Sequence, residues 1–441
     1  MFFSNFTMKK LWFFFLSLLF GWSSASGQIP TVERIAADPR IAMFDLALYP
    51  EAKIRTQTPS PEGYVPFYIA HYGRHGSRLC SLESDYTLLI SMLEQAESRG
   101  TLTPTGRRLL HDLRLVYAEA RGRSGELTPT GEAQHRGIAR RMIANYPGLF
   151  RRGASVECLS STATRCILSM TAFCEELKAL QPGLEITHEA SPRTMPKVYA
   201  FCESDRLRLF DSLVRRSALY KELTREPGKV FIRPERLLGS LMTDPEALSD
   251  ARQVAFTRLL YKAANSLAGS TFSSLSFYPL FTPEELYAQW KYANYKVYLI
   301  CGPSAQFGKW MNCLVSPVLE NMLDSAERAV AAEGPVASLR FGHDNTLMAL
   351  GGLLQIEGLS FVSDNRDKVS AHWSTSDYTP AAANLQLVFY RNGKEHVLVK
   401  IRWNENEVRI PLPADHYPYY EWTALKNYCR GRIEAAEAIC R

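Results

Sequence analysis

Two hydrophobic periods divide this chain. Runs rich in β-branched and aromatic residues occur at 64–70, 154–160, 336–341 and 384–390, each with the length and composition of a buried strand. The first three are each followed by a short polar turn and then by helical spacing. Cys166, Met170, Phe173 and Leu177 recur at intervals of three and four and mark one buried helix face. From about 185 to 332 helical spacing persists and strand-like runs become scarce. Leu319, Met322, Leu323, Ala326 and Val330 mark the inner face of one long helix there.

The starts of several helices are spelled out. Leu-Thr-Pro-Thr-Gly occurs at 102–106 and again at 127–131, each copy with a threonine placed to cap a helix and proline in its first turn. Thr282-Pro283-Glu284-Glu285 is a capping box. Near the C-terminus, alternation on either side of Asn392-Gly393 predicts a hairpin that returns through His396 to Trp403. Val408 to Ile410 adds a short strand, and a helix from about Thr423 closes the chain. The pattern predicts an α/β domain assembled from 28–184 and 333–441, interrupted by a helical insertion over 185–332.

The first 27 residues stand outside this pattern. Lys9-Lys10, the apolar run from Leu11 to Phe20 and the small residues at 23–27 have the layout of an export signal. Its apolar core is shorter than the roughly 20 residues of a membrane span, so the mature chain is expected near Gln28, exported, periplasmic or secreted, and off the membrane. Met1 and Met8 both remain possible starts. The formal net charge is +6, with two of those charges on Lys9 and Lys10. A mildly basic chain without a long Lys/Arg run suits a small anionic ligand and lacks a nucleic-acid footprint. Nine cysteines in an exported chain permit disulfides. Cys166 and Cys174 sit too far apart along one helix to bond, and a continuous final helix separates Cys429 from Cys440 in the same way. No cysteine or histidine spacing resembles a zinc site.

Candidate chemistry gathers at the strand ends. Arg74-His75-Gly76-Ser77-Arg78 follows the first strand, where α/β proteins bind their ligands. Two guanidinium forks match phosphate oxygens. An imidazole between them is expected to be neutral and free to act as a nucleophile, and Gly76 is expected to let a ligand approach the backbone. Ser161-Thr162-Ala163-Thr164-Arg165 opens the helix after the second strand, and its arginine faces an anion that a helix N-terminus already favours. Gly342-His343-Asp344 repeats the strand-end layout after the third strand. His135, in the second Thr-Pro-Thr-Gly helix, reads as a structural or rim residue. Tyr199, Phe201 and Tyr278 read as core first and pocket lining second.

The Arg-His-Gly-x-Arg element resembles the signature of the histidine acid phosphatases, a branch of the phosphoglycerate-mutase-like superfamily that includes phytases and multiple inositol polyphosphate phosphatases. Ser161 to Arg165 is similar to that family's Ser-Thr-x-x-Arg. Gly342 to Asp344 is similar to its Gly-His-Asp. Cys80 stands where the family usually has proline. The inositol polyphosphate branch usually carries His-Ala-Glu in place of the His-Asp found here. The resemblance implies a phosphoglycerate-mutase-like α/β domain whose helical insertion covers the phosphate pocket. It implies a phosphomonoesterase in which His75 forms a phosphohistidine, while Arg74, Arg78, Arg165 and His343 hold the phosphoryl group. Asp344 donates the proton to the leaving group. The arginines supply the positive charge, so neither metal nor other cofactor is expected. The expected partner is a small phosphorylated substrate: phytate, another inositol polyphosphate, a sugar phosphate or a general monoester. A mutase and a non-catalytic phosphate-binding protein are the rival readings. The oligomeric state is not readable from the sequence.

Overall fold

The first apolar run becomes the strand on which the site is built. In the computed structural model, which describes residues 29–225, 231–393 and 396–441, this strand is β1, Val65–Arg74. The expected export signal lies outside the described residues. The other strands are β2 (Ser155–Ser160), β3 (Glu185–Glu189), β4 (Ala337–Gly342), β5 (Asn384–Asn392), β6 (His396–Trp403), β7 (Asn406–Glu407) and β8 (Tyr419–Glu421). They form one sheet in the order β3-β2-β4-β1-β5-β6-β7, with β8 also paired to β6. β1, β2, β3 and β4 run parallel, whereas β5 pairs antiparallel to β1.

β1 runs four residues past the apolar stretch because both of its edges are paired. Ile69 to Arg74 match Ala337 to Gly342 on β4, and Val65 to Gly73 lie against β5. Polar His71 and Arg74 are thereby carried into the sheet. The helix expected directly after the signature begins only at Ser84. The predicted hairpin forms, with Asn392 opposite His396 and Gly393 at a positive φ of 67°. Val408 to Ile410 are not a strand. The sheet pairing there ends with β7, Val408 adds one backbone bond to Ile401, and the three-residue β8 follows later.

The helices that pack around the sheet and the site are α1 (Ser84–Ser98), α2 (Pro104–Ala120), α3 (Pro129–Asn145), α4 (Thr164–Leu180), α5 (Asp250–Leu267), α6 (Pro283–Cys301), α7 (Gly308–Val330), α8 (Asp344–Leu353) and α9 (Trp422–Glu437). Alternation along β1 splits its side chains between two layers. Tyr68, Ala70 and Tyr72 pack with Leu319, Met322 and Leu323 of α7, Leu347 and Leu350 of α8, and Leu425 of α9. Ile69 packs on the other face with Ile138 and Met142 of α3 and Phe173 and Leu177 of α4. Cys313 on α7 is disulfide-bonded to Cys440 beyond α9, and Cys429 on α9 is buried in the core beneath.

The helical insertion expected at 185–332 divides differently. Residues 185–189 are β3, an edge strand of the sheet, and α7 packs on the sheet core. A separate helical cluster joins Leu260 and Ala264 of α5 and Trp290 of α6 to Leu89 and Leu93 of α1 and Leu109 and Leu113 of α2. Helical spacing shows that a face is buried but not which element covers it, and that is why the sequence boundary misses this division. β3 was hidden because Glu185-Ile186-Thr187-His188-Glu189 has a single large apolar residue and lies largely exposed at the edge.

Candidate active site

Parallel pairing brings the three motifs to one edge of the sheet. Arg74 stands opposite Gly342, and Ser160 stands opposite Phe341. The turns that follow β1, β2 and β4 therefore emerge side by side. His75 is the first residue beyond β1. Its amide donates to the Gly342 carbonyl at 3.0 Å, and its own carbonyl accepts from Ala382 at 2.9 Å.

The His75 ring is 2% exposed, and its Nδ1 lies 2.8 Å from the Gly76 carbonyl oxygen. A carbonyl only accepts, so Nδ1 carries the proton and Nε2 keeps its lone pair. Burial, then Arg74, Arg78 and Arg165, hold the His75 pKa well below the ordinary imidazole value. The neutral imidazole expected from the sequence is what the surroundings enforce, with desolvation as the larger cause and the flanking cations second.

The arginines are fixed by acceptors the sequence did not reveal. Arg74 donates through Nη1 to the Thr379 carbonyl and through Nη2 to the Asp45 carbonyl, both at 2.5 Å. The same Nη2 lies 3.3 Å from Asp344 Oδ2. Arg78 Nη2 donates to Asp45 Oδ2 at 2.8 Å. Asp45 therefore serves both guanidinium groups, one with its backbone and one with its carboxylate. It sits in an irregular segment 29 residues before Arg74, with no periodicity or motif to single it out.

Gly342 ends β4, and a Cβ there would stand 2.1 Å from the Tyr72 hydroxyl and 2.7 Å from the Val198 carbonyl. That hydroxyl donates to Val198 and accepts from the His343 amide. His343 caps α8, and its ring centre lies 5.7 Å from that of His75. Arg165 Nη2 is 3.3 Å from His343 Nδ1, and Ser161 Oγ is 3.1 Å from Nε2. A guanidinium cannot accept, so Nδ1 accepts and Nε2–H donates to Ser161. Burial and then Arg165 lower the His343 pKa to about 4. Ser161 belongs to the motif that contains Arg165, but only the fold shows that it orients His343.

Asp344 opens α8 with its side chain 24% exposed. Burial pushes its carboxyl up; Arg74, then Arg78 and His343, outweigh that, and the net shift is downward. The phosphate-free site thus holds Asp344 as a carboxylate. All six residues singled out from the sequence, Arg74, His75, Arg78, Arg165, His343 and Asp344, meet in this one cluster. Among the described residues no three histidine, cysteine or acidic side chains converge on a point that suits a metal ion.

Gly76 does something other than expected. A Cβ on it would stand 2.4 Å from the Gly131 carbonyl and 2.6 Å from the Gly131 Cα. Its open side is filled by the start of α3, not by a ligand. The second Thr-Pro-Thr-Gly copy thereby acts as a clamp on the signature. The Thr128 amide and hydroxyl both donate to the Ser77 carbonyl, and Gln134 Oε1 accepts from the Ser77 amide. Gly76→Ala forces two backbones apart, so it should destabilise the protein by about 1–3 kcal/mol or more and displace His75. Urea unfolding and kcat together test this, and a wild-type midpoint with wild-type kcat would contradict it.

His135 lies one residue beyond Gln134 but faces away. It is 1% exposed between Phe173 and Phe341, close to the equally buried His71. It belongs to the core, neither at the rim nor in the cluster. Tyr278 is also core, with its hydroxyl on Asn265. Phe201 packs on Phe210. Tyr199 alone of the three aromatics reaches the site, with its ring centre 4.6 Å from that of His343.

Comparison with known proteins gives the family. Residues 73–404 match the family model described as histidine phosphatase superfamily, branch 2. The chain is 24% identical over 426 residues to multiple inositol polyphosphate phosphatase 1 of Gallus gallus, covering 91% of this chain and 90% of that protein. Its structure is similar to that of the Bifidobacterium longum multiple inositol polyphosphate phosphatase in complex with inositol hexasulfate. The TM-score is 0.75 at 19% identity, covering 87% of this chain and 96% of the other. It is also similar to the phytase from D. castellii, with a TM-score of 0.62 at 13% identity and coverage of 89% and 85%. The family match spans about three quarters of the chain and includes every residue of the cluster except Asp45, and the chain belongs to the histidine phosphatase superfamily, branch 2.

Proposed function

We propose that this protein is a phosphomonoesterase that works through a phosphohistidine, with inositol polyphosphates as its favoured substrates. The observation that carries this reading is the His75 imidazole. Its Nδ1 is tied to a carbonyl, its Nε2 lone pair is free, and three arginines surround it. Nε2 attacks phosphorus and the ester oxygen leaves, which divides hydrolysis into two steps. Arg74, Arg78 and Arg165 hold the phosphoryl oxygens and stabilise the charge that spreads over them, and His343 joins them once bound phosphate favours a proton on its Nδ1. Asp344 protonates the leaving alkoxide and then takes a proton from the attacking water. A bound phosphate brings negative charge that pushes the Asp344 carboxyl up, toward the protonated form this role needs.

The substrate class rests on the named relatives, two of which are multiple inositol polyphosphate phosphatases. The His343-Asp344 pair is the form that phytases carry, and it is compatible with the same substrates. The helical cluster of α1, α2, α5 and α6 is proposed as the cap over the phosphate site. Gly269, just beyond α5, lies so close to Ser77 that a Cβ on it would stand 2.9 Å from the Ser77 Cβ. A panel of phytate, sugar phosphates and nitrophenyl phosphate, read as kcat/KM, tests the substrate assignment. A sugar phosphate turned over more efficiently than phytate would replace it.

Residues 9–27 support export. Secreted or periplasmic material should begin near Gln28 on N-terminal sequencing, and a soluble protein that retains Met1 or Met8 would overturn this.

The electrostatics set the acid limb of the pH profile. A nucleophile must be neutral, so activity falls only as pH drops through the folded pKa of His75. That pKa is held well below the ordinary value of about 6.5. For nitrophenyl phosphate, whose leaving group needs little protonation, kcat/KM should stay flat from pH 7 to about 5. The comparison requires correction for the second ionisation of the ester, which is near 6. A corrected acid limb centred near 6.5 would show that the imidazole is not shifted.

A further inference from the structure

Cys158 and Cys174 lie outside the phosphate site and face each other, with their sulfurs 3.3 Å apart. Cys158 is on β2 and Cys174 on α4. Both are almost fully buried, in the layer that also holds Val156, Phe173 and Leu177. The contact is shorter than van der Waals separation between two sulfurs, so modest rotation of the side chains brings them to bonding distance. The sulfurs contact each other, and the His188 imidazole reaches Cys174 as well. His188 is the cross-strand partner of Cys158 on β3.

We infer that Cys158 and Cys174 form a second disulfide of the mature protein, beside Cys313–Cys440. The bond closes a loop of 16 residues in sequence separation that contains Ser161 and Arg165. It therefore ties the strand that delivers Ser161 to the helix that delivers Arg165. The local chemistry suits the reaction. The hydrogen bond from Cys158 lowers the Cys174 thiol pKa to about 6, and the His188 imidazole adds to that effect. Before that contact is complete either thiol can attack as its thiolate. With Cys174 first, its sulfur displaces one thiolate from a disulfide-bearing carrier, giving a mixed disulfide. Cys158 then loses its proton, attacks the Cys174 sulfur and releases the second carrier thiolate. Two protein thiols become one disulfide, the carrier disulfide becomes two thiols, and the two protons go to the carrier. Both residues are buried once folded, so the exchange takes place while β2 and α4 are still docking.

The inference takes the oxidising compartment from the export reading, and the test is independent of it. The full chain is unfolded, reduced and refolded in a mixture of oxidised and reduced glutathione. It is then alkylated and digested without reductant. Only material in which the Cys313 and Cys440 peptides are linked is scored, so adequate oxidation is built in. The expected result is a second linked pair that carries Cys158 and Cys174, with the mass of the intact protein about 4 Da below that of the fully reduced chain, or about 2 Da per bond. Alkylated Cys158 and Cys174 in material that contains linked Cys313–Cys440 overturns the inference. A melting measurement on Cys313→Ser reads the second bond alone. Material refolded and melted in reductant throughout should have a Tm about 3 °C or more below that of material refolded in the glutathione mixture, and equal Tm values overturn the inference equally. If Cys313→Ser does not fold, the peptide map of the parent decides.

Discussion

His75→Ala should leave a folded protein that releases phosphate at least about 10⁴-fold more slowly than the parent, for phytate and nitrophenyl phosphate alike. The loss is common to both substrates because His75 is the atom source of the first covalent step, before any difference in leaving group matters. The fold should survive because the imidazole contributes one local hydrogen bond, to Gly76. The turn itself is held by backbone bonds to Gly342 and Ala382 and by the α3 clamp on Ser77. Circular dichroism and the urea midpoint check the fold. An alkaline denaturing quench during turnover checks the chemistry, because the parent should retain a base-stable, acid-labile phosphoimidazole that the variant lacks. Activity within about tenfold of the parent would remove His75 as the nucleophile.

Asp344→Asn should divide substrates by their leaving groups. An alkyl phosphate leaves as a strongly basic alkoxide and needs a proton; nitrophenyl phosphate leaves as a stabilised phenoxide and does not. In single turnovers, phosphoenzyme formation should slow for the alkyl ester by on the order of 10²-fold more than for the aryl ester, the range of general acid catalysis. Asparagine keeps an oxygen beside Arg74 Nη2, which Asp344 meets at 3.3 Å, so the phosphate clamp is disturbed little. Direct measurement of the first step is needed because a slow dephosphorylation shared by both substrates would mask the split. Equal slowing of that step would exclude Asp344 as the donor. The next carboxyl to test would then be Asp45, which lies 2.8 Å from Arg78 and which only the structure identifies.

Arg74, His75, Arg78, Arg165, His343 and Asp344 were legible in the sequence because each sits in a contiguous motif at the end of an apolar run. Strand runs at 64–70, 154–160 and 336–341, each with charged or polar residues directly after, place Arg74 and His75, Arg165, and His343 and Asp344 at strand ends. Local chemistry also marked the helix starts. Thr103, Thr128 and Thr282 all cap as read, with hydrogen bonds to Gly106, Gly131 and Glu285. These are interactions over three residues, and sequence spacing determines them directly.

What the tertiary structure decided is everything that depends on which distant residues meet. Parallel registry places Arg74 beside Gly342 and Ser160 beside Phe341, and that converts three separate motifs into one site. Asp45 has no local signal because its role comes from folding back onto Arg74 and Arg78. Gly76 looked open to a ligand, yet Gly131 fills the space, an approach of two backbones that no one-dimensional pattern encodes. The helical layer divides between a sheet-packed α7 and a cluster that recruits α1 and α2, since periodicity reports the existence of a buried face and not its partner. The sequence alone determines local capping, strand runs and the identity of the reactive groups, whose causes lie within a few residues. The long-range contacts that aim those groups arise from packing between elements far apart in the chain, and they exist only once it has folded.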